Sequence, residues 1–532
     1  MLFRSFLPDK WTASAAPTLY VPGCVNNAAT CTGSNRVAVN PLTGVSLGPN
    51  SSLATGTLVP GAGNFRNGLF QSGNGIADTT YLFPKLVVSP RFGTAYDVTG
   101  KQTFVIRGSF GLYYDRPRGG NAQALVGNTF VSSLQTLRYS QLQSLSGLST
   151  QSPAQLTAYQ YDSPLPASLE WSAGVQMLLP FATSLDVTYT GNHNYNAELT
   201  GQINDVDFGT GFNTAKQDPT SAPTTTGSAS LANLFPDLVR GYKGYTRIAL
   251  RAYNGWRKYD AIQFSFNRRF QHGIQFGFND AITLRDVSRI APRYDHDATG
   301  QPVLRADQDT AQALFEDNLQ PRHLMKATAL WQLPTMSGGK GAMKIVQAVA
   351  NDWQLSSVWT AATGTPYAAT FSYQNGGSNV NLTGSPDWGA RIKVTGDPGA
   401  GCSDNQFAQF NALAFAGPVQ GSTGLESANN YLKGCFSSVI DLSIQRVVRL
   451  GGARSVTFRV DMFNAPNNSQ VTGRVTSMTM NSQATNTVIV NNQYNTDGTL
   501  NTARVQPQNA GFGAANAWQA PRTVQAYIRF SF

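Results

Sequence analysis

Four cysteines, four histidines and one short acidic run are the residues whose chemistry would matter if their spacing were right. Cys24 and Cys31 form one local pair, and Cys402 and Cys435 another. Neither pair has the CxxC spacing of a zinc site. Both read as disulfides that staple loops in an oxidising compartment, each contributing about 2–4 kcal/mol by restricting the open chain. His193, His272, His296 and His323 lie far apart and form no HExxH or paired spacing, so they do not compose a metal centre. Asp295-His296-Asp297, with Asp307 and Asp309 nearby, offers oxygen ligands for Ca²⁺. The spacing is not that of an EF-hand loop, and a solvated acidic loop is the plainer reading. Gly338-Gly339-Lys340-Gly341 lacks the spacing of a phosphate-binding loop and reads as a turn. No serine occupies a GxSxG elbow. Carboxylate pairs can always be drawn from 29 acids, so they carry no weight without geometry. The residues thus point to no enzyme, no cofactor and no metal site.

The elements around these residues are more informative. Only 13% of the chain is charged, about half the roughly 25% of a soluble globular protein. Gly alone supplies 51 residues, and Asn, Ser, Thr and Gln fill much of the remainder. No stretch approaches the ~18 consecutive apolar residues of a transmembrane helix, but barrel strands cross membranes with alternation alone. The net charge of +10 raises nucleic acid as a partner. The Lys and Arg are scattered singly, with no basic stripe, so nucleic acid is not expected.

Alternation is clearest at the C-terminus. Over 523–532, Val524, Ala526, Ile528, Phe530 and Phe532 fall on one face of a strand, and Gln525, Arg529 and Ser531 on the other. Before it, Ile440, Leu442 and Ile444 lead through Gly451-Gly452 into Val456, Phe458, Val460 and Met462. Arg459 and Asp461 alternate with these and require a watery face. Similar hairpins are expected at 91–110, 169–189 and 262–279, with a less regular one from 322 to about 371. In its link, 335–352, Ile345, Val346 and Val349 suggest a short amphipathic turn of helix. Phe264, Phe266, Phe276, Phe278, Phe458 and Phe530 would face lipid, and Trp171, Trp331, Trp353 and Trp359 are candidates for its interface.

This gives about eleven strands, with long polar loops near 116–165, 199–255, 289–321, 372–435 and 467–520. A soluble sandwich also alternates, but it has little reason to place every long loop at one end. An outer-membrane barrel does so routinely, with short periplasmic turns and long extracellular loops. The expected fold is therefore an all-β, antiparallel transmembrane barrel, with 1–85 an external region and 86–532 the barrel portion. An odd strand number and two open edges in lipid both imply a larger whole. The first residues also lack a signal peptide, so a truncated N-terminus is expected.

Six segments then carry a family resemblance: SPRFGTAYDVTGKQTFVIRGSFGLYYDRP (89–117), LEWSAGVQMLLP (169–180), YDAIQFSFNRRFQHGIQFGFN (259–279), DWQLSSVWTAATGTPY (352–367), FRVDMFNAPNN (458–468) and PRTVQAYIRFSF (521–532). In that order the chain resembles the C-terminal barrel portion of TonB-dependent outer-membrane receptors, of the acidobacterial type with a carboxypeptidase-regulatory-like domain. The resemblance implies a barrel of about 22 strands closed by a plug, energised uptake of an unknown scarce ligand, and outer-membrane lipid as surroundings. It implies TonB as a partner only through N-terminal parts not seen in this sequence, and assembly machinery that reads Tyr527, Ile528, Phe530 and Phe532. An adhesive or structural surface protein and a passive porin are the alternatives.

Overall fold

The computed structural model describes residues 4–79, 82–116, 125, 128, 135–136, 150–221, 234–338, 340–483 and 487–532. An antiparallel sheet dominates it, built from eleven strands that each pair with their neighbours in the chain. These are β1 (Arg91–Asp97), β2 (Phe104–Tyr114), β3 (Ala167–Leu179), β4 (Thr183–Gln202), β5 (Tyr245–Gln271) and β6 (Ile274–Ser288). They continue with β7 (His323–Gln332), β8 (Trp353–Ala362), β9 (Ser437–Gly451), β10 (Arg454–Phe463) and β11 (Thr523–Ser531). Among the described residues, no helix is long and apolar enough to cross a membrane.

The register explains why alternation in the sequence yields two chemically different faces. Met177, Leu185, Phe266, Phe278, Ala327, Trp359 and Ile440 are paired in turn across seven strands, forming one unbroken apolar row. The adjacent row on the other face runs Gln176, Asp186, Ser265, Asn279, Lys326, Thr360 and Val439. A slip of one residue would exchange the two rows. Phe264 and Phe266 meet Phe278 and Phe276 edge-on at 5.8 and 6.1 Å, geometries that aromatic quadrupoles favour.

Tight turns close one end. His272 and Gly273, both at positive φ, join β5 to β6, as a two-residue hairpin loop requires. Asp97 accepts backbone N–H bonds from Thr99, Gly100 and Gln102 to shape the β1–β2 turn. The fourth of the five connections at this end, between β7 and β8, is longer and contains a helix, Ala342–Ala350. This is the segment in which the sequence suggested a short helical turn.

Three strand boundaries differ from the sequence reading. β4 and β5 continue to Gln202 and from Tyr245, so the loop expected at 199–255 shrinks to 203–244. A bulge at Tyr195/Ala197, with Asn196 at positive φ, lets pairing resume beyond an apparent break. β8 ends at Ala362 instead of near Phe371. Phe371 belongs to a separate strand, Thr370–Tyr373, paired in parallel with Ser477–Met480.

At the opposite end the long connections fold on one another around their own apolar cores. Ile392, Phe410, Phe415, Leu432, Met478 and Phe512 are buried together, joining the connection before β9 to the one before β11. Phe6, Trp11, Leu156, Ile203, Tyr242 and Tyr245 form a second core. The strand Ala154–Tyr159 extends it, pairing in parallel with the top of β5.

Candidate functional site

Residues 203–208, directly after β4, are the hub of this crown. Ile203, Asn204, Asp205 and Val206 are buried. Ser385 Oγ donates to the Val206 carbonyl at 2.5 Å, and Val206 N donates to Asp387 Oδ2 at 2.9 Å. Arg240 reaches Asp387 at 2.7 Å, Asp237 at 3.0 Å and the Asn204 carbonyl at 2.6 Å. Arg247 grips Asp205 with two bonds of 2.6 and 2.8 Å. Burial nevertheless pushes the Asp205 carboxyl above the usual carboxylate range. The segment before β5 and the one before β9 are thereby fastened together through the charge-assisted Arg240–Asp387 bond and the bonds of Val206 to Ser385 and Asp387.

A layer of aromatic and guanidinium groups lies beside this hub. Phe208 stacks on Trp388 with ring centroids 5.2 Å apart. The Arg305 guanidinium lies 4.2 Å from the Phe208 centroid, and Arg293 lies 5.3 Å from it, both within cation–π range. Arg305 also bonds Asp295 at 2.8 Å and Asp307 at 2.8 Å. Burial raises Asp295 above the ordinary carboxylate value. For Asp307 burial acts the same way, but Arg305 and Arg293 outweigh it and bring the carboxyl below that value. Asp309 lies in the first turn of helix α1, Gln308–Phe315.

These contacts correct the reading of 295–309 as a solvated acidic loop for Asp295 and Asp307, while Asp297 and Asp309 are exposed. Asp295 and Asp307 are engaged by arginines, and Asp297 caps a turn through the Thr299 and Gln301 N–H groups. His296, between them, is largely buried: Asp207 Oδ1 lies 2.7 Å from its Nδ1, and the Ile203 carbonyl 3.0 Å from its Nε2. Any Cβ on Gly241 would overlap this ring, so only glycine fits there.

Between the crown and the upper end of β6 lies an open cavity of about 630 Å³, lined by Arg285, Asp286, Asn318, Arg322, Asn430 and Lys433. Asp286 is held by Arg257 through bonds of 2.8 and 2.7 Å and by Asn318 Nδ2 at 2.7 Å. The cavity thus combines the carboxylates of Asp286 and Asp317 with basic side chains and with the amides of Asn318 and Asn430, which donate to those two carboxylates. A second cavity, about 560 Å³, adjoins Cys402, Cys435, Gln470 and Trp518.

The other candidate residues are dispersed. Cys24 and Cys31 sulfurs lie 2.06 Å apart, and those of Cys402 and Cys435 1.99 Å apart. Ile528 and Phe530 share the apolar face with Phe458 and Val456. Tyr527 is on the opposite face, 5.9 Å from the Arg459 guanidinium, and Phe532 follows the last strand residue and is exposed. Trp359 stacks on Phe278 at 6.3 Å, and the Trp171 ring covers Gly191. His193 faces Lys258, His272 sits in its turn, and His323 Nδ1 lies 2.9 Å from Asp280 Oδ2. Gly339, within the expected turn at 338–341, lies outside the described residues. The hub around Asp205, Phe208, Trp388 and Arg293 was not singled out from sequence. No local spacing links residues so far apart.

A long antiparallel sheet with one apolar face, one polar face and its longest connections gathered at one end defines an integral β-protein of the bacterial outer membrane. Residues 36–525 match the family described as "Outer membrane beta barrel domain", and the chain belongs to that family. Among solved structures it is similar to a variant of the ferric enterobactin receptor of Pseudomonas aeruginosa (12% identity, TM-score 0.35, covering 83% of this chain and 40% of that one). It is similar also to the outer membrane transporter YddB of Escherichia coli (10%, 0.36, 82% and 40%) and to the ferric-catecholate import receptor Fiu of E. coli (10%, 0.32, 95% and 40%). The chain spans 40% of the length of each of these. No curated protein matches it.

Proposed function

We propose that this chain is the barrel portion of a TonB-dependent outer-membrane receptor that takes up a scarce solute. The observation that carries the reading is the crown. Its loops are fastened to one another by arginine–carboxylate pairs and apolar cores, and they frame a polar cavity at the mouth of the polar face. A binding site needs such preorganisation, whereas a passive pore needs only an open polar lumen. In this reading residues 1–85 are external, 86–532 contribute eleven strands of a barrel of about 22, and a plug and TonB complete the cycle. The assembly machinery of the outer membrane reads the terminal strand through Tyr527, Ile528, Phe530 and Phe532.

The test is uptake by cells expressing the complete gene product, offered a panel of radiolabelled scarce solutes with and without an uncoupler. Accumulation that the uncoupler abolishes supports energised transport. Uncoupler-insensitive entry would identify a passive porin. Retention on the cell surface without entry would favour an adhesive protein.

A further inference from the structure

The connection between β7 and β8 is the one elaborated link at the short-turn end of the sheet. Its helix α2, Ala342–Ala350, is nine residues long, and an isolated helix of that length is unstable in water. None of its residues is buried. Met343, Ile345, Val346 and Val349 are 53%, 69%, 50% and 60% exposed. An apolar surface of this kind calls for an apolar surrounding.

Its moorings show which side of the sheet it borders. Trp353 Nε1 donates to the Val349 carbonyl at 2.7 Å, and Arg446 Nε donates to the Asn351 carbonyl at 3.3 Å. Trp353 and Arg446 are paired across β8 and β9 on the apolar face, in register with Phe458 and Ile528. The helix is therefore tied to the lower margin of the lipid-facing surface. Asn351 also exchanges bonds of 2.8 and 2.9 Å with the backbone of Met336, fixing the start of the link to its end. Trp331, half exposed, stands at the same margin. Over the whole link, residues 333–352, the charged residues are Lys340, Lys344 and, at its far end, Asp352.

We infer that α2 is an interfacial anchor on the periplasm-facing leaflet, with its apolar side chains at the acyl boundary. Lys340 and Lys344 meet the phosphates of anionic phospholipids. An amphipathic helix with a basic polar side binds in this way, and each lysine near the surface adds about 1 kcal/mol, roughly a fivefold change. Trp353 and Trp331 mark the depth at which indoles settle.

The complete gene product, reconstituted in vesicles of phosphatidylethanolamine and phosphatidylglycerol, allows a direct test. A nitroxide placed at Val346→Cys should collide more with dissolved oxygen than with a water-soluble nickel chelate, and one at Gln347→Cys should show the reverse. Replacing Lys340 and Lys344 by Gln should shift the Val346 label toward the chelate, by roughly fivefold per lysine. In phosphatidylcholine the replacement should have no effect. Equal chelate access at both sites would overturn the proposal by showing a helix bare in water. Exclusion of both reagents at Val346 would overturn it too, since a protein surface would then be the occupant. In the unmodified protein, a phospholipid carrying a headgroup-proximal diazirine should leave adducts within 342–350, and their absence beside labelled Trp331 would refute lipid contact.

Discussion

His296 has an acceptor against each ring nitrogen, Asp207 on one side and the Ile203 carbonyl on the other. A neutral imidazole donates only once, so the doubly protonated ring alone satisfies both. Burial by itself would lower its pKa, but the hydrogen bond and charge of Asp207 dominate and raise it, with a further contribution from Asp295. A raised value in the folded state means that the latch is complete below the unfolded value of about 6.5. It is lost as pH climbs through the folded value. Hydrogen exchange at 203–207 and 294–304, corrected for intrinsic rates, should accelerate across that window. His296→Ala should abolish the pH dependence, and a variant that keeps it would locate the titrating group elsewhere. From sequence His296 was visible only as part of an acidic run. Its partner Asp207 is 89 residues away, beyond any local pattern.

At the scale of elements, the strands were legible and the crown was not. A strand between lipid and water must alternate, so Phe264, Phe266, Phe276 and Phe278 announce themselves by spacing alone. The crown obeys no such period. Phe410 packs on Phe512 at 5.1 Å, yet each sits in a stretch of Asn, Gln, Ala and Gly that reads as plain loop. The last four residues of β4 and the first eleven of β5 were missed because the bulge at Asn196 breaks the alternation that would have revealed them. The cysteine pairs belong to this scale as well. Peptide mapping without reduction should give Cys24 linked to Cys31 and Cys402 linked to Cys435, and free thiols would contradict the pairing. Changing Cys402 and Cys435 to Ser should loosen a segment with a sequence separation of 33, at a cost of about 3 kcal/mol. Limited proteolysis confined to 402–435 would report it.

For the whole molecule, the separation of the two faces is what permits a membrane location, and adjacent residues test it. Phe278→Arg places a charge on the apolar row and should destabilise the folded protein in lipid vesicles by about 2–4 kcal/mol at mid-membrane depth. Asn279→Arg, one position on, faces the polar side and should be nearly neutral. Similar urea midpoints for the two would mean that the faces are misassigned. Removing Phe532 from the complete gene product should lower the amount inserted in the outer membrane, read as the heat-modifiable fraction on gels. Full insertion would exclude a necessary role for that residue.

β5, with 27 residues, has a further consequence. At about 3.4 Å per residue it traces roughly 90 Å, while a tilted crossing consumes only about ten residues. In the orientation proposed above, the greater part of that strand rises above the lipid as a turret, carrying the crown into the surrounding medium. No compartment of the cell buffers that medium. The protonation of His296, and with it the tightness of the crown, is then governed by the acidity of the habitat.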